Sequence, residues 1–284
     1  MAAPTRAKKR LGDFLQERRK RASVSAAEAA DVLKTSESTV SRYESGSVLP
    51  VWSTVLNLLR LYDATEEQIG AGIRLWEEAR DEPKPVRLPS DTPKSFRRLV
   101  NAERSAPWMR TVHPYTVPGL LQTRAYVRAL VAAAHRFHDP EGRTEMIVSN
   151  RMARQQCLHK DNPLRLHSLL DESVIHREIG GPAVMREQLA HLLTMGEQPN
   201  VTLQVMPYGA GAYGTMSGGC TIVGYLGDEV PGVYLEYPAG GAWVDNEQDV
   251  HRFTTMFDDA TSAALAPADT ADLIYQRIRA TGHG

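Results

Sequence analysis

The residues whose types and spacing could do chemistry lie in VSAAEAADVLKTSESTVSRYESG, residues 24–46. Glu37, Ser38, Ser41 and Arg42 bring a carboxylate, two hydroxyls and a forked guanidinium close together in the chain. On a helix seated in a DNA major groove such groups read base edges. Arginine donates two bonds to guanine O6 and N7, a carboxylate accepts from the cytosine amino group, and hydroxyls serve either. To do so they must share one helix face, and the stretch reads as two short helices joined by a tight turn. The first places Ala27, Ala30 and Leu33 at helical spacing, a small apolar face. The second opens at Ser36, a good N-cap, and turns Val40 and Tyr43 inward, which leaves the four polar residues outward. On periodicity alone, a surface helical hairpin in a bundle fits equally well.

The flanking sequence supplies two more helices. Leu11, Phe14 and Leu15 form an apolar stripe on a helix that continues through Glu17, Arg18 and Arg19. After Pro50, a second stripe reads Val51, Val55, Leu58, Leu59 and Tyr62. LGDFLQERRKR, SAAEAADVL and KTSESTVSRYESG together resemble the DNA-binding domains of XRE-type and lambdoid phage repressors, over about residues 10–80. The resemblance implies a buried ion pair between Arg19 and Glu44 that locks the first helix to the recognition helix. It implies base contacts from Glu37, Ser38 and Arg42, with Thr35, Ser36, Thr39 and Ser41 completing the DNA-facing set. It also implies a phosphate held by Ser25 at a helix N-terminus. Three positions depart from the family pattern: Ala26 stands where a Gln bridges phosphate and base contacts, Lys34 where the turn has Gly, and Ser47-Val48-Leu49 where relatives carry basic residues.

Charge is unevenly distributed. Residues 1–60 hold 11 Lys or Arg against 6 Asp or Glu, a balance of +5, whereas the rest hold 22 against 28, or −6, so nucleic acid is expected at the basic end. The two cysteines, Cys157 and Cys220, are far apart and carry no metal-ligand spacing, so neither a disulfide framework nor a metal site is expected. No apolar run approaches membrane-spanning length and no signal-peptide pattern is seen, so a cytoplasmic, nucleoid-associated protein without membrane contact is expected.

In chain order, residues 1–10 read as a disordered basic arm, with Arg6, Lys8, Lys9 and Arg10 placed to follow a DNA backbone or merely to be solvated. Residues 11–80 form the helix-turn-helix domain. They end with TEEQIGAGIRLWEEAR, a helix whose Ile69, Ile73 and Trp76 share one face that closes the domain or contributes to a dimer contact. Residues 81–93 hold four prolines and read as a linker. Residues 94–284 mix helices (around Phe96 to Val100, then 119–134, 143–159, 182–195, 248–264 and 268–281) with extended runs at 109–117, 164–170, 201–206, 220–226 and 233–237. The fold class is thus multidomain: an all-α lambda-repressor-like domain, then an α+β domain with a mainly antiparallel sheet.

YTVPGLLQTRAYVRAL, RMARQQCL, LLDESVIHREIGG, VTLQVMPYGAGAYG and VYLEY resemble the C-terminal domain of actinobacterial antitoxin-like or WhiJ-like regulators. Members of that group are commonly encoded beside a small protein related to BldB, so the resemblance implies such a partner. The polar residues His113, Tyr115, Arg151, Arg154, Gln155, Asp171, Glu172 and Glu236 are candidates to line a pocket. Arg151 and Arg154, one turn apart, could hold an anion or pair with carboxylates. No nucleophile with a base is legible: Ser217 in TMSGGC lacks the setting of a nucleophile elbow, and YGAGAYGTMSGG reads as a surface loop rather than a phosphate cradle. Catalytic residues, cofactors and metals are therefore not expected. The expected function is a sequence-specific regulator, a repressor, that binds a double-stranded operator as a homodimer and whose C-terminal domain, residues 94–284, dimerises and receives a ligand or small partner protein. The alternative makes that domain the active part, antitoxin-like or catalytic, with DNA binding serving autoregulation.

Overall fold

The computed structural model describes residues 6–80, 88–89, 91–138, 143–225, 230–237 and 240–280, and the chain divides into two compact units, residues 1–84 and 85–284. The described residues of unit one form five helices: α1 (Arg6–Arg21), α2 (Ala26–Leu33), α3 (Glu37–Glu44), α4 (Trp52–Leu61) and α5 (Glu66–Arg80). Leu11, Leu15, Ala29, Ala30, Val40, Val55, Leu58, Leu59 and Tyr62 form its core. Thr65 caps α5 by accepting from the Gln68 amide, while the Gln68 side chain accepts from the Thr65 amide.

Three expectations are corrected here. The basic arm is helical from Arg6, since Ala7 is buried and the α1 backbone at Lys9 lies against Gly46; Met1–Thr5 fall outside the described residues. Ala29, not Ala27, turns inward beside Ala30, because the short α2 packs over α3 and α4 on a face rotated from the simple periodic reading. Val51 is exposed as the N-cap of α4, outside the stripe that its successors form.

Unit two comprises α6 (Lys94–Ser105), β1 (Trp108–His113), α7 (Arg124–His138), α8 (Thr144–Arg154), β2 (Arg165–Asp171), α9 (Glu172–His176), α10 (Pro182–Gly196), β3 (Val201–Met206), β4 (Cys220–Val223), β5 (Gly232–Tyr237), β6 (Gly240–Val244), α11 (Glu247–Ala263) and α12 (Pro267–Ala280). The six strands make one mixed, mostly antiparallel sheet in the order β3-β2-β1-β4-β5-β6. The β1–β4, β4–β5 and β5–β6 pairs are antiparallel, while β1–β2 and β2–β3 are parallel. Parallel neighbours need a crossover, which α7 and α8 supply for the first pair and α9 and α10 for the second. One sheet face carries Leu166, Leu170, Leu203 and Val223 into a core with Leu99, Tyr126 and Leu189 of α6, α7 and α10. The other carries Val112, Leu169, Met206, Ile222 and Val233 against Val250, Phe257 and Ala260 of α11. The sheet is therefore a middle layer with helices on both faces.

Several boundaries differ from the sequence reading. Residues 119–121 form a 3-10 turn, and α7 starts only after Thr123, whose hydroxyl accepts from the Tyr126 amide. The 143–159 helix tightens into a 3-10 turn at Gln155–Leu158. Pro114 follows the last residue of β1, so that strand is shorter than the extended run, and β6 was not anticipated in its glycine-led segment. Asp81–Arg87 and Ser90 of the linker, Leu226 and Thr281 lie outside the described residues.

Candidate nucleic-acid interface

α2 begins at Ser25, its N-cap, and ends at Lys34, whose φ of 52° and ψ of 48° place it in the left-handed region. The Thr35 amide donates to Ala30 O at 2.9 Å, closing the helix end, and the chain reaches Ser36, the N-cap of α3, at once. The Ser36 hydroxyl accepts from the Thr39 amide at 3.3 Å and lies 2.8 Å from the Ser38 hydroxyl and 3.0 Å from that of Thr39. Val40 is fully buried and Tyr43 half-buried, whereas Thr35, Ser36, Glu37, Ser38, Ser41 and Arg42 are exposed. Arg42 donates through Nη2 to the half-buried Thr39 hydroxyl at 3.1 Å, which aims the guanidinium and leaves most of its donors open. Glu37 and Arg42 are five residues apart, roughly 7.5 Å along the helix at 1.5 Å per residue, so they address different base pairs on any duplex that α3 follows.

This face is held by a clamp between α1 and α3. Arg19 donates through Nε to Glu44 Oε1 at 2.6 Å and through Nη2 to Oε2 at 2.8 Å, while Nη1 reaches Val24 O at 3.0 Å. The pair is mostly buried, and the hydrogen bond to Glu44 raises the Arg19 pKa against the opposing effect of burial. Nearby, burial pushes the Tyr62 phenol up, and its hydroxyl is a buried group without a hydrogen-bond partner among the described residues. Close backbone approach completes the clamp: a Cβ on Gly12 of α1 would stand 2.3 Å from Glu44 O, and one on Gly46, at φ 72°, would stand 2.7 Å from the Lys9 amide nitrogen.

At the N-terminus of α2, Ser25 is engaged within the chain. Its hydroxyl accepts from the Glu28 amide, and Glu28 Oε2 accepts from the Ser25 amide at 2.7 Å and the Ser25 hydroxyl at 2.8 Å. Glu28 thus occupies the donors that the family resemblance assigns to phosphate, and those bonds hold its carboxyl below the usual range. The S-x-x-E spacing of Ser25 and Glu28 is the sequence signal for this capping box.

In unit two the candidate polar residues do not all form one site: His113, Arg151, Arg154, Gln155 and Glu236 are neighbours, whereas Asp171 and Glu172 engage the segment after β3. Arg154 makes a buried two-pronged pair with Glu103, at 2.8 and 2.6 Å, and so takes the carboxylate of the two options read for the arginines. Arg151 instead donates to Gln122 Oε1 at 3.0 Å; burial and then the Arg154 charge lower its pKa to about 10. Gln155 donates to Gln122 O at 2.7 Å. Burial, reinforced by Arg151, lowers His113 to about 4. Asp171 caps α9 and accepts from the Tyr213 hydroxyl, while Glu172 accepts from the Tyr208 amide and lies 3.2 Å from His176. Both carboxylates thereby tether the loop that begins at Pro207 and includes the exposed Ser217, which runs from strand to strand without a following helix. Tyr115 and Glu236 are exposed. Cys157 and Cys220 are buried free thiols, and burial pushes Cys220 up to about 12. Among the described residues, no cluster of three or more His, Cys, Asp or Glu could hold a metal ion, and no helix is long and apolar enough to cross a membrane.

Two helices across a three-residue turn, with a polar outward face on the second, define a helix-turn-helix unit of the kind found in DNA-binding regulators. The helix-turn-helix domain model matches residues 10–71. The chain belongs to the family described as Domain of unknown function (DUF5753), whose model matches residues 96–276. No curated protein and no solved structure matches the chain.

Proposed function

We propose that this chain is a sequence-specific transcriptional regulator, acting as a repressor, whose α3 reads a two-fold related operator from a homodimer. The observation that carries the reading is the exposed Glu37-Ser38-Ser41-Arg42 face of α3, fixed by the Arg19–Glu44 pair and the caps at Ser25 and Ser36. One recognition helix touches too few base pairs for genomic selectivity, which is the argument for two copies. Exposed Val48, Val51 and Trp52, just beyond α3, offer apolar surface for such an interface. The DUF5753 unit dimerises and receives the control input, a small ligand or a small BldB-related protein, as in the WhiJ-like, antitoxin-like regulators that it resembles, and carries out no catalysis. The protein acts in the cytoplasm at the nucleoid.

Binding selections over randomised half-sites test this. Arg42→Ala should cost about 1–3 kcal/mol on the selected site and relax preference at one position per half-site. Glu37→Gln should leave non-specific binding unchanged or stronger while altering the chosen base. Loss of affinity on all sequences alike, with a salt slope lower by about one, would make Arg42 a phosphate contact instead.

A further inference from the structure

The parallel half of the sheet has one face that α11 covers only in part. On β1, β2 and β3 this face alternates Trp108, Arg110 and Val112; Arg165, His167 and Leu169; and Thr202, Gln204 and Met206. The apolar members at the carboxyl ends lie in the α11 core. At the amino ends the polar and aromatic members border an open hollow of about 330 Å³, floored by Trp108 and His167 and edged by Arg110, Arg165, Thr202 and Asn200. That volume falls at the lower end of small-molecule sites, roughly 300–1,000 Å³.

The lining charge is positive, and its groups differ in how firmly they are held. The Arg110 guanidinium lies 5.3 Å from the Trp108 ring centre and 5.5 Å from that of Phe257, and donates through Nη1 to Asp258 at 3.0 Å. One donor is used and the plane is fixed, so the remaining donors are preset. His167 is fixed as well, by Gln204 at 2.7 Å and by an edge contact with Phe257 at 5.0 Å between centroids. Arg165 and Thr202 are exposed, and neither side chain has a partner among the described residues. A preset guanidinium, a free one two residues away on the adjacent strand, and a free hydroxyl thus line one hollow beside the Trp108 and His167 rings.

We propose that this hollow is a binding site for a small organic anion, a carboxylate or phosphate monoester whose oxygens bridge Arg110 and Arg165 and whose body lies on Trp108 and His167. It deepens the reading of unit two as an input module by naming the ligand class. Binding is measured without DNA, so failure here leaves the DNA-binding reading standing, and the reverse holds too.

The experiment is calorimetric titration of the full chain with benzoate, phenyl phosphate, inorganic phosphate and benzamide, the neutral isostere of benzoate. Benzoate, phenyl phosphate or both should bind, which also tells carboxylate from phosphate, and benzamide should not. Arg165→Ala, which removes an exposed and unpartnered side chain, should weaken binding about tenfold or more. Thr202→Glu should abolish it by placing a carboxylate among the donors. Arg124→Ala, an exposed arginine on α7, should leave it unchanged. The assignment is overturned if neither aromatic anion binds at about 20 mM, if Arg165→Ala and Thr202→Glu bind like the parent, or if inorganic phosphate binds as tightly as phenyl phosphate.

Discussion

Lys34 holds a left-handed conformation, φ 52°, between the two helices of the DNA-reading motif. A side chain there costs on the order of 1 kcal/mol relative to glycine, so Lys34→Gly should raise stability by about that amount, read as a higher denaturant midpoint at unchanged slope. The sequence carried this information because αL at a helix end is a local property. The engagement of Ser25 by Glu28 was equally local, yet the family resemblance directed the reading to phosphate. Both uses compete for the same donors. Glu28→Gln keeps the capping box and removes its charge, so it should raise affinity for duplex DNA with the fold unchanged, read by titration at low and moderate salt. Equal affinities at both salt concentrations would mean that no phosphate approaches Ser25.

At the scale of elements, the helices of unit one were legible from period and caps, apart from Ala27 and Val51 in the stripes, and the resemblance supplied the Arg19–Glu44 pair, whereas the close backbone approach beneath that pair was not legible. Gly12 looks like an ordinary, mildly unfavourable helix glycine until α3 is placed against it and Glu44 O comes within 2.3 Å of a would-be Cβ. Gly70 in α5 has the opposite setting, since its Cβ would meet only the Arg74 side chain at 3.6 Å. Gly12→Ala should therefore destabilise by about 1–3 kcal/mol and loosen the recognition helix, while Gly70→Ala should stabilise by about 0.5–1 kcal/mol. Thermal melts of the two variants decide between packing and propensity at each site. In unit two, the strands could be found by composition but not their neighbours: β3 and β4 are consecutive strands, yet β2 and β1 stand between them. The hollow on the sheet was hidden for the same reason. Arg110, Arg165 and His167 alternate with buried residues along β1 and β2, two of them the polar Thr111 and Ser168, and only strand pairing brings them together.

For the whole molecule, acid is the condition to which unit two should respond. His113, His167 and His191 all have pKa values lowered by burial, with His113 at about 4. The unfolded chain binds these protons first as pH drops. The neutral form of His113 stabilises the fold fully above pH ~6.5, and that contribution is lost as pH falls from there toward about 4, with His167 and His191 acting in the same direction. Denaturation of unit two followed between pH 7 and pH 4 should show this slope, and His113→Gln should reduce it. An unchanged slope would mean that His113 is not neutral in the folded state.

The central position of β1 has a consequence for synthesis. Unit one is built from short-range helical contacts, but β1 at Trp108–His113 must await both β2 at Arg165–Asp171 and β4 at Cys220–Val223. More than a hundred residues separate β1 from β4, which at ribosomal rates of roughly 5–20 residues per second is a delay of about 5–20 seconds. A nascent chain thus exposes a finished helix-turn-helix unit well before the strands of its second half can pair. If operator occupancy needs the dimer, the ribosome-bound chain should hold DNA only weakly. Arrested chains ending before and well after β4 would show it: protection of the Cys157 thiol, present in both and buried in the finished fold, and tight operator binding should appear only in the longer one.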